Sequence, residues 1–352
     1  MKGFVYSSQP SRVVFRAGAL DDLGAEVERL GTQRALVLCT PGQRLSAQDV
    51  ARRLGARAVG VYDKAVMHVP IEAAQAAREV ASSLGADCCV AIGGGSTIGL
   101  GKAIALTSGL PILAIPTTFA GSEMTPIQGF TENGVKKTVR DPRMLPKTVL
   151  YDPNLLLSLP AEIAGPSGMN AIAHCVEALY AQQANPITSL MAEEGIRALA
   201  QNLLLVVREP DNLDARGEAL YGAWLAGTCL AAVGMALHHK LCHTLGGSFN
   251  LPHAQTHTIV LPHATRYNQD AAPQAMLRIA RALGTRDAAA GLYDLAQQLG
   301  APVALRDIGM PASGLDRAAD LAVTDPYWNP RPIERSGIRQ LLQNAWEGIR
   351  PG

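Results

Sequence analysis

Through the first 157 residues, short β-branched runs alternate with amphipathic stretches; beyond that point the alternation stops. Strands read at 11–18 (SRVVFRAG), 34–40 (RALVLCT), 57–63 (RAVGVYD), 87–92 (DCCVAI), 110–118 (LPILAIPTT) and 147–153 (KTVLYDP). Between them, Leu20, Leu23, Val27 and Leu30 recur at helical spacing, 71–85 reads as a helix closed by Gly85, and TIGLGKAIALTSG reads as another. Strands that alternate with helices imply a parallel sheet covered on both faces. After Pro160 the chain turns to long alanine- and leucine-rich segments such as GMNAIAHCVEALYAQQ and ITSLMAEEGIRALAQNLLLVV. The expected fold is therefore α/β over residues 1–157 followed by an all-α domain over 158–352, with the boundary falling near 155–162. A cleft between two such domains is a usual place for a ligand.

The 352 residues exceed one ordinary core, and a hydrophobic share of 48% with 17% charged residues suits two well-packed ones. A net charge of +1 without a basic run makes nucleic acid an unexpected partner. The N-terminus lacks an apolar stretch of signal-peptide length, and no segment is long and apolar enough to suggest a membrane span. The six cysteines lie mostly in apolar segments and form no CxxC, so they read as reduced, buried thiols of a cytoplasmic protein.

Gly93-Gly94-Gly95-Ser96 falls where a strand ends and a helix begins. Unpaired N–H groups and the helix dipole favour an anion there, and glycines let the backbone approach it. Alone the motif is weak. The next strand end adds Thr117, Thr118 and Ser122 around Ala120-Gly121, and two donor-rich loops after adjacent parallel strands suit a dinucleotide. The spacing is not GxGxxG.

Six of the eight histidines lie in one stretch: His238, His239, His243, His253, His257 and His263. His239 and His243, four apart, project from one helix face. Gly246-Gly247 is expected to turn the chain and Pro252 to lead a loop-borne His253 back towards the pair. Such a set can hold a metal or supply protons and hydrogen bonds. His238 points about a quarter-turn away from His239, in a supporting position at best. His257 and His263 read as structural, and His68 carries no assigned chemistry.

The motifs GGGS (93–96), PTTFAGSE (116–123), MNAIAHCVEA (169–178), HHKLCHTLGGSFNLPH (238–253) and NPRP (329–332) resemble the iron-containing alcohol dehydrogenase/dehydroquinate synthase-like superfamily over essentially the whole chain. PTTFAGSEMTPIQG, KKTVRDPRMLPKTVLYDP and LHHKLCHTLGGSFNLPHAQTHTIVLPH are similar to its maleylacetate reductase branch. The resemblance implies a nucleotide-binding α/β domain, a helical domain, an active site between them and a homodimer. Metal-dependent members carry an aspartate in a DAxxH pattern, where this chain has Asn170 and His174. Their other ligand positions fall on His239 and His253, and their substrate-facing histidine on His243. In GGGSxxDxxK, Gly99 replaces the aspartate and Lys102 keeps the lysine. No metal is expected.

For that branch the implied reaction is reduction of the carbon–carbon double bond of maleylacetate to 3-oxoadipate in aromatic-compound degradation. Charge develops on the ketone oxygen as an enolate, so the site needs donors there, a proton source, and cations for two carboxylates. His243, His239, His253, His174 and Asn170 are the catalytic candidates. Gly93, Gly94, Gly95, Ser96, Thr117, Thr118, Ser122, Gly42 and Lys137 are the cofactor-binding ones. Arg140, Arg143 and Arg331 suit carboxylates, although a structural role is the simpler reading of each, as it is for Lys240. Tyr327, Trp328 and Asn329 could line the site or merely pack. After RALVLCT the chain reads Pro41-Gly42-Gln43 with no carboxylate, so NADH and NADPH are both expected to serve. The alternatives are a metal-dependent alcohol dehydrogenase, a polyol-phosphate enzyme of the same superfamily, and a nucleotide-binding protein without activity.

Overall fold

The computed structural model describes residues 4–8, 11–66, 69–132 and 135–352, and of 130–132 and 135–137 the backbone alone. Contacts divide the chain into two compact units, Gln9–Leu159 and Pro160–Gly352, the described residues before Gln9 grouping with the latter.

The first unit runs β1 (Arg12–Phe15), α1 (Leu23–Arg29), β2 (Ala35–Leu38), α2 (Arg44–Leu54), β3 (Ala58–Tyr62), α3 (Ile71–Ser83), β4 (Cys88–Gly93), α4 (Gly95–Ser108), β5 (Ile112–Pro116), β6 (Ile127–Glu132), β7 (Val135–Arg140) and β8 (Thr148–Tyr151). Six strands form one sheet in the order β1-β8-β5-β4-β2-β3, every pairing parallel. The continuous apolar runs of β2, β4 and β5 are buried at every residue because helices cover both faces. Val37, Val90, Ile92, Leu113 and Ile115 pack with Leu23, Val27 and Val50 in one core. After β2 the chain places β3 on one side, then crosses back to put β4 on the other. The carboxyl ends of β2 and β4 thus flank a topological switch point, where open α/β sheets bind ligands. The antiparallel pair β6–β7 was not among the expected strands. Its signal in the sequence is Asn133-Gly134 between β-branched residues.

The second unit runs α5 (Ala161–Tyr180), α6 (Pro186–Arg208), α7 (Leu213–Ala232), α8 (Leu237–Phe249), α9 (His253–Asn268), α10 (Pro273–Leu283), α11 (Ala288–Gln298), α12 (Leu315–Val323) and α13 (Arg335–Glu347), with no strand among its described residues. Helix α5 is buried from Ala164 to Tyr180 and packs against α6, α7 and α9. Small residues set how closely it is enclosed. A Cβ on Gly168 would lie 2.4 Å from the Leu203 side chain, and one on Gly195 2.8 Å from Cys175 Sγ. Asn185 opens α6 with a capping box, and Asn212 and Asp287 accept from the first turns of α7 and α11. A second core joins Leu237, Leu241 and Leu245 of α8 to Ile259 and Val260 of α9 and Leu341 and Leu342 of α13.

Two expectations about the histidine stretch need correcting. Gly246 and Gly247 do not turn the chain; α8 runs through both to Phe249, and Asn250 makes the turn in the left-handed region at φ 54°. Asn tolerates that region, and packing of Leu241 and Leu245 outweighs the poor helix propensity of two glycines. Nor is His253 loop-borne: it is the first residue of α9, with Pro252 at the N-cap. Among the described residues no single helix is long and apolar enough to cross a membrane.

Candidate active site

In the first unit, chemistry collects where β2, β4 and β5 end. Gly93 closes β4 at φ 153°, and a Cβ there would lie 2.5 Å from Thr97 Oγ1 and 2.6 Å from Gln43 Oε1. Gly94 caps α4, with its Cβ position 2.9 Å from Thr118 Cγ2; Gly95 begins the helix, and Ser96 follows in its first turn. The turn is therefore a cradle that side chains would fill. Around it stand Thr117 and Thr118 beyond β5 and, further on, Ser122. The hydroxyls of Thr97 and Ser122 are buried without a hydrogen-bond partner. Gln43, which sequence reasoning noted only for its lack of charge, donates from Nε2 to Thr117 Oγ1 at 2.6 Å and so ties the loop after β2 to the loop after β5. Gly42 sits beside it with open space at its Cβ position. The side chain of Lys137 lies outside the described residues, as does His68.

Lys102 is fully buried and donates to Ser122 O at 2.6 Å, Thr125 Oγ1 at 2.9 Å and Ile127 O at 2.8 Å, fastening α4 to the loop that carries Ser122. Burial lowers its pKa to about 7, partly offset by Glu123. At Gly99, a Cβ would meet the Gln128 amide at 2.8 Å, so no side chain is accommodated without movement where relatives carry aspartate.

In the second unit, Asn170 and His174 stand one turn apart on α5, and α8 and α9 supply the remaining imidazoles. His174 stacks on His239 with ring centroids 5.2 Å apart, and His243 lies 6.0 Å beyond His239. His253 approaches His257 at 4.3 Å, and His257 approaches His239 at 5.0 Å and His238 at 4.8 Å. The four candidate histidines are thus brought together, with His257 as the ring joining His253 to the others. The reading of His257 as merely structural, and of His238 as pointing away, understated both: His238 Nε2 and His257 Nδ1 share a hydrogen bond of 2.9 Å. His257 sits one helical turn from His253, and the His238 ring stands 5.1 Å from that of His239, so both lie inside the same cluster. His263 is buried outside those ring contacts, with its pKa lowered to about 4 by burial. Burial likewise holds His174, His238 and His257 well below the ordinary imidazole range, so these rings are neutral.

Glu177, absent from the expected set, organises the cluster. Its carboxylate accepts from Ala236 N, His238 N and His239 Nδ1, each at 2.7 Å. The contact fixes the His239 proton on Nδ1 and leaves Nε2 inward. A carboxylate within the apolar run MNAIAHCVEALY was the available signal. Asn170 Oδ1, His174 Nδ1 and His239 Nε2 are all buried without a hydrogen-bond partner. Buried polar atoms are normally satisfied, so three such atoms on neighbouring residues could accept or donate to a bound polar group. His243 Nδ1 meets the Tyr327 hydroxyl at 3.0 Å.

The other polar candidates divide. Arg143 is taken by Asp141 at 2.8 and 2.9 Å, and Arg331 lies 4.1 Å over the Tyr267 ring while donating to Tyr267 O. Both therefore have partners within the protein. Arg140 ends β7 exposed. Lys240 donates to Thr324 O at 2.9 Å, Asn329 exchanges amide hydrogen bonds with Asn268, and Trp328 is exposed.

The divalent metal of the metal-dependent relatives fits this donor set poorly. Asn170 offers no charge where they have a carboxylate. Among the described residues, the trio whose ligand atoms all lie within 4.8 Å of one another is His238, Cys242 and His257, not His174, His239 and His253.

The sequence profile of iron-containing alcohol dehydrogenases matches residues 10–153, and that of the C-terminal domain of the same family matches 165–346. The chain is 61% identical over 351 residues to maleylacetate reductase of Burkholderia cepacia, covering 100% of both, and 58% identical over 348 residues to that of Sphingobium indicum, covering 99% of both. The crystal structure of maleylacetate reductase from Agrobacterium tumefaciens superposes with a TM-score of 0.95 at 54% identity, covering 100% of both chains. With the parallel sheet, the helical unit and the histidine cluster in place, the chain belongs to the iron-containing alcohol dehydrogenase family and, within it, to the maleylacetate reductases, which are oxidoreductases.

Proposed function

We propose that this protein reduces the carbon–carbon double bond of maleylacetate to 3-oxoadipate with NADH or NADPH, and that neutral histidines and Asn170 do the work a metal ion does in other members. The observation that carries the residue assignment is the set of orphaned polar atoms on Asn170, His174 and His239 beside the His243–Tyr327 pair. A reduced nicotinamide supplies the hydride when bound. Gly93, Gly94, Gly95, Ser96, Thr117, Thr118, Ser122, Gly42 and Lys137 would hold it, the N-terminus of α4 being suited to a pyrophosphate.

Addition at the carbon β to the ketone leaves an enolate, whose oxygen needs donors. Asn170 can donate through its NH₂ group, as an aspartate could not, and His174 through a ring N–H. When the Tyr327 hydroxyl donates to His243 Nδ1, the His243 proton sits on Nε2; as Nε2 gives it to the carbon next to the ketone, the Tyr327 proton passes to Nδ1, and solvent restores it to the phenol afterwards. Glu177 holds His239 in one tautomer beside them. His253 is placed through its contact with His257. Arg140, exposed at the end of β7, is a candidate for a substrate carboxylate.

Use of both cofactors rests on the end of β2. No acid directly follows β2 in the chain, Gln43 is held by Thr117, and the adjacent Arg44, paired with Asp63 at 3.3 Å, keeps most of its side chain exposed, where a 2′-phosphate could meet it. Buried cysteines with no disulfide among them support a reducing cytoplasmic setting, and the family resemblance supports a homodimer.

One specific observation favours the metal-dependent alternative: a carboxylate on Nδ1 with Nε2 turned inward is also how metal-binding histidines are oriented. The test is an assay panel with NADH and NADPH against maleylacetate, simple aldehydes and polyols, with and without chelator. Oxidation of both cofactors by maleylacetate, yielding 3-oxoadipate, is expected. Oxidation by aldehydes with none by maleylacetate overturns the proposal.

A further inference from the structure

His238, Cys242 and His257 take no direct part in the reaction as proposed, yet they form a second constellation beside it. His238 and Cys242 are four apart on α8 and share a face; His257 reaches them from α9. His238 Nε2 lies 2.9 Å from His257 Nδ1 and 3.7 Å from Cys242 Sγ, and all three residues are buried, at 0%, 0% and 2% exposure. We propose that these three side chains form a binding site for a soft monovalent ion, Cu⁺, and that filling it stops turnover at the neighbouring histidines. The second half rests on the reductase reading above; the first does not.

Geometry and charge both point there. Bonds of ~2.0–2.1 Å to imidazole and ~2.3 Å to thiolate, spread trigonally, place nitrogen and sulfur about 3.8 Å apart and the two nitrogens about 3.5 Å apart. The His238–Cys242 pair already stands at 3.7 Å, the His257–Cys242 pair lies within 4.8 Å, and the rings need to part by about 0.6 Å. One thiolate with two imidazoles is a soft donor set that selects Cu⁺ over hard ions. In so buried a place the net charge decides further. A thiolate and Cu⁺ sum to zero, whereas a divalent ion leaves a positive charge without a counterion, since the Glu177 carboxylate is already taken by three donors. On binding, the Cys242 thiol releases its proton to the buffer. Before binding, one ring proton lies between His238 Nε2 and His257 Nδ1; on binding it moves to the outer nitrogen of its own ring, so that both rings carry their protons on His238 Nδ1 and His257 Nε2, which are buried without a partner. No oxidation or reduction is involved. The same rings stand 5.1 and 5.0 Å from His239, so parting them displaces a candidate catalytic residue.

The experiment is anaerobic titration of the intact protein with Cu⁺ against a colorimetric Cu⁺ chelator, with turnover measured on the same samples. One equivalent retained per chain is expected, with loss of maleylacetate-dependent NADH oxidation that excess chelator restores. Cys242→Ser is expected to turn over normally and retain none. X-ray absorption of the copper-loaded native protein gives a readout that does not depend on any variant folding: one sulfur and two imidazoles about the ion. No retained copper, equal retention by Cys242→Ser, or a shell without sulfur overturns the site. A filled site with turnover intact overturns its effect on the reaction.

Discussion

The turn at the end of β4 and the histidine cluster of the helical unit make opposite use of side chains. At Gly93 and Gly94 the site exists because side chains are missing: a Cβ at either would collide with Thr97, Gln43 or Thr118. An anionic ligand there would meet backbone N–H groups and a helix terminus, which are the same in any sequence that folds this way. In the helical unit the site exists because of side chains. Six imidazoles stand in a continuous set of ring contacts, and one of them, His239, is held by a buried carboxylate. The first kind of site tolerates change of residue type around it and little change of shape. The second should tolerate small changes of shape and little change of chemistry.

Substitutions sharpen the contrast, and the largest effect belongs to chemistry. His243→Ala is expected to lower kcat by roughly a hundredfold or more while KM changes little, as loss of a proton donor that acts in the transition state should. Near-native turnover in stopped-flow assays removes His243 from the mechanism. Glu177→Gln exchanges one acceptor oxygen for an NH₂ group facing donors that now lack a partner. It should cost about 2–3 kcal/mol in chemical denaturation and reduce kcat as well, because His239 loses its fixed tautomer. Unchanged turnover with lowered stability would make Glu177 a structural residue alone.

Gly93→Ala probes the other site. Strain at that backbone angle and the contacts at 2.5 and 2.6 Å should weaken cofactor binding by ~1–3 kcal/mol, about tenfold or more, with kcat at saturating cofactor little affected. Titration of cofactor fluorescence reads this directly, and native affinity would show that the turn has room to spare.

The smallest effect per step is a pH dependence confined to the helical unit. In the unfolded chain His174, His238, His257 and His263 take up protons near pH 6.5, whereas in the folded protein burial holds their pKa values lower, that of His263 at about 4. Below that pH the unfolded state therefore binds more protons, and stability falls by up to ~1.4 kcal/mol per pH unit for each ring. The contribution of His263 levels off once pH passes below about 4. Melting temperature followed from pH 7 downwards should drop steeply; a flat profile contradicts the neutral buried cluster.

The contrast also explains what was legible in the sequence. Strand–helix alternation and continuous apolar runs reflect burial on both faces, so β2, β4, β5 and α4 lie where the pattern places them. A glycine-rich turn is local, and its position between strand and helix is enough to find it. The histidine cluster is assembled from α5, α8 and α9, and spacing along one helix cannot report which ring on another faces it. Hence Asn170, His174, His239, His243 and His253 could be named as candidates, whereas the contacts of Glu177 and the bridging position of His257 required the packed helices. Gly246-Gly247 misled for a related reason. Local preference pointed to a turn, but Leu241 and Leu245 on the buried face of α8 carry the helix past it.

The account depends most on a reduction performed without a metal ion. The direct measurement is maleylacetate-dependent NADH oxidation by protein that has been exhaustively chelated and shown by elemental analysis to hold no iron or zinc. Full turnover, unchanged on adding either ion back, is the predicted result. Loss of turnover on chelation, with recovery at one equivalent of iron or zinc per chain, would contradict it and return Asn170, His174, His239 and His253 to the role of ligands.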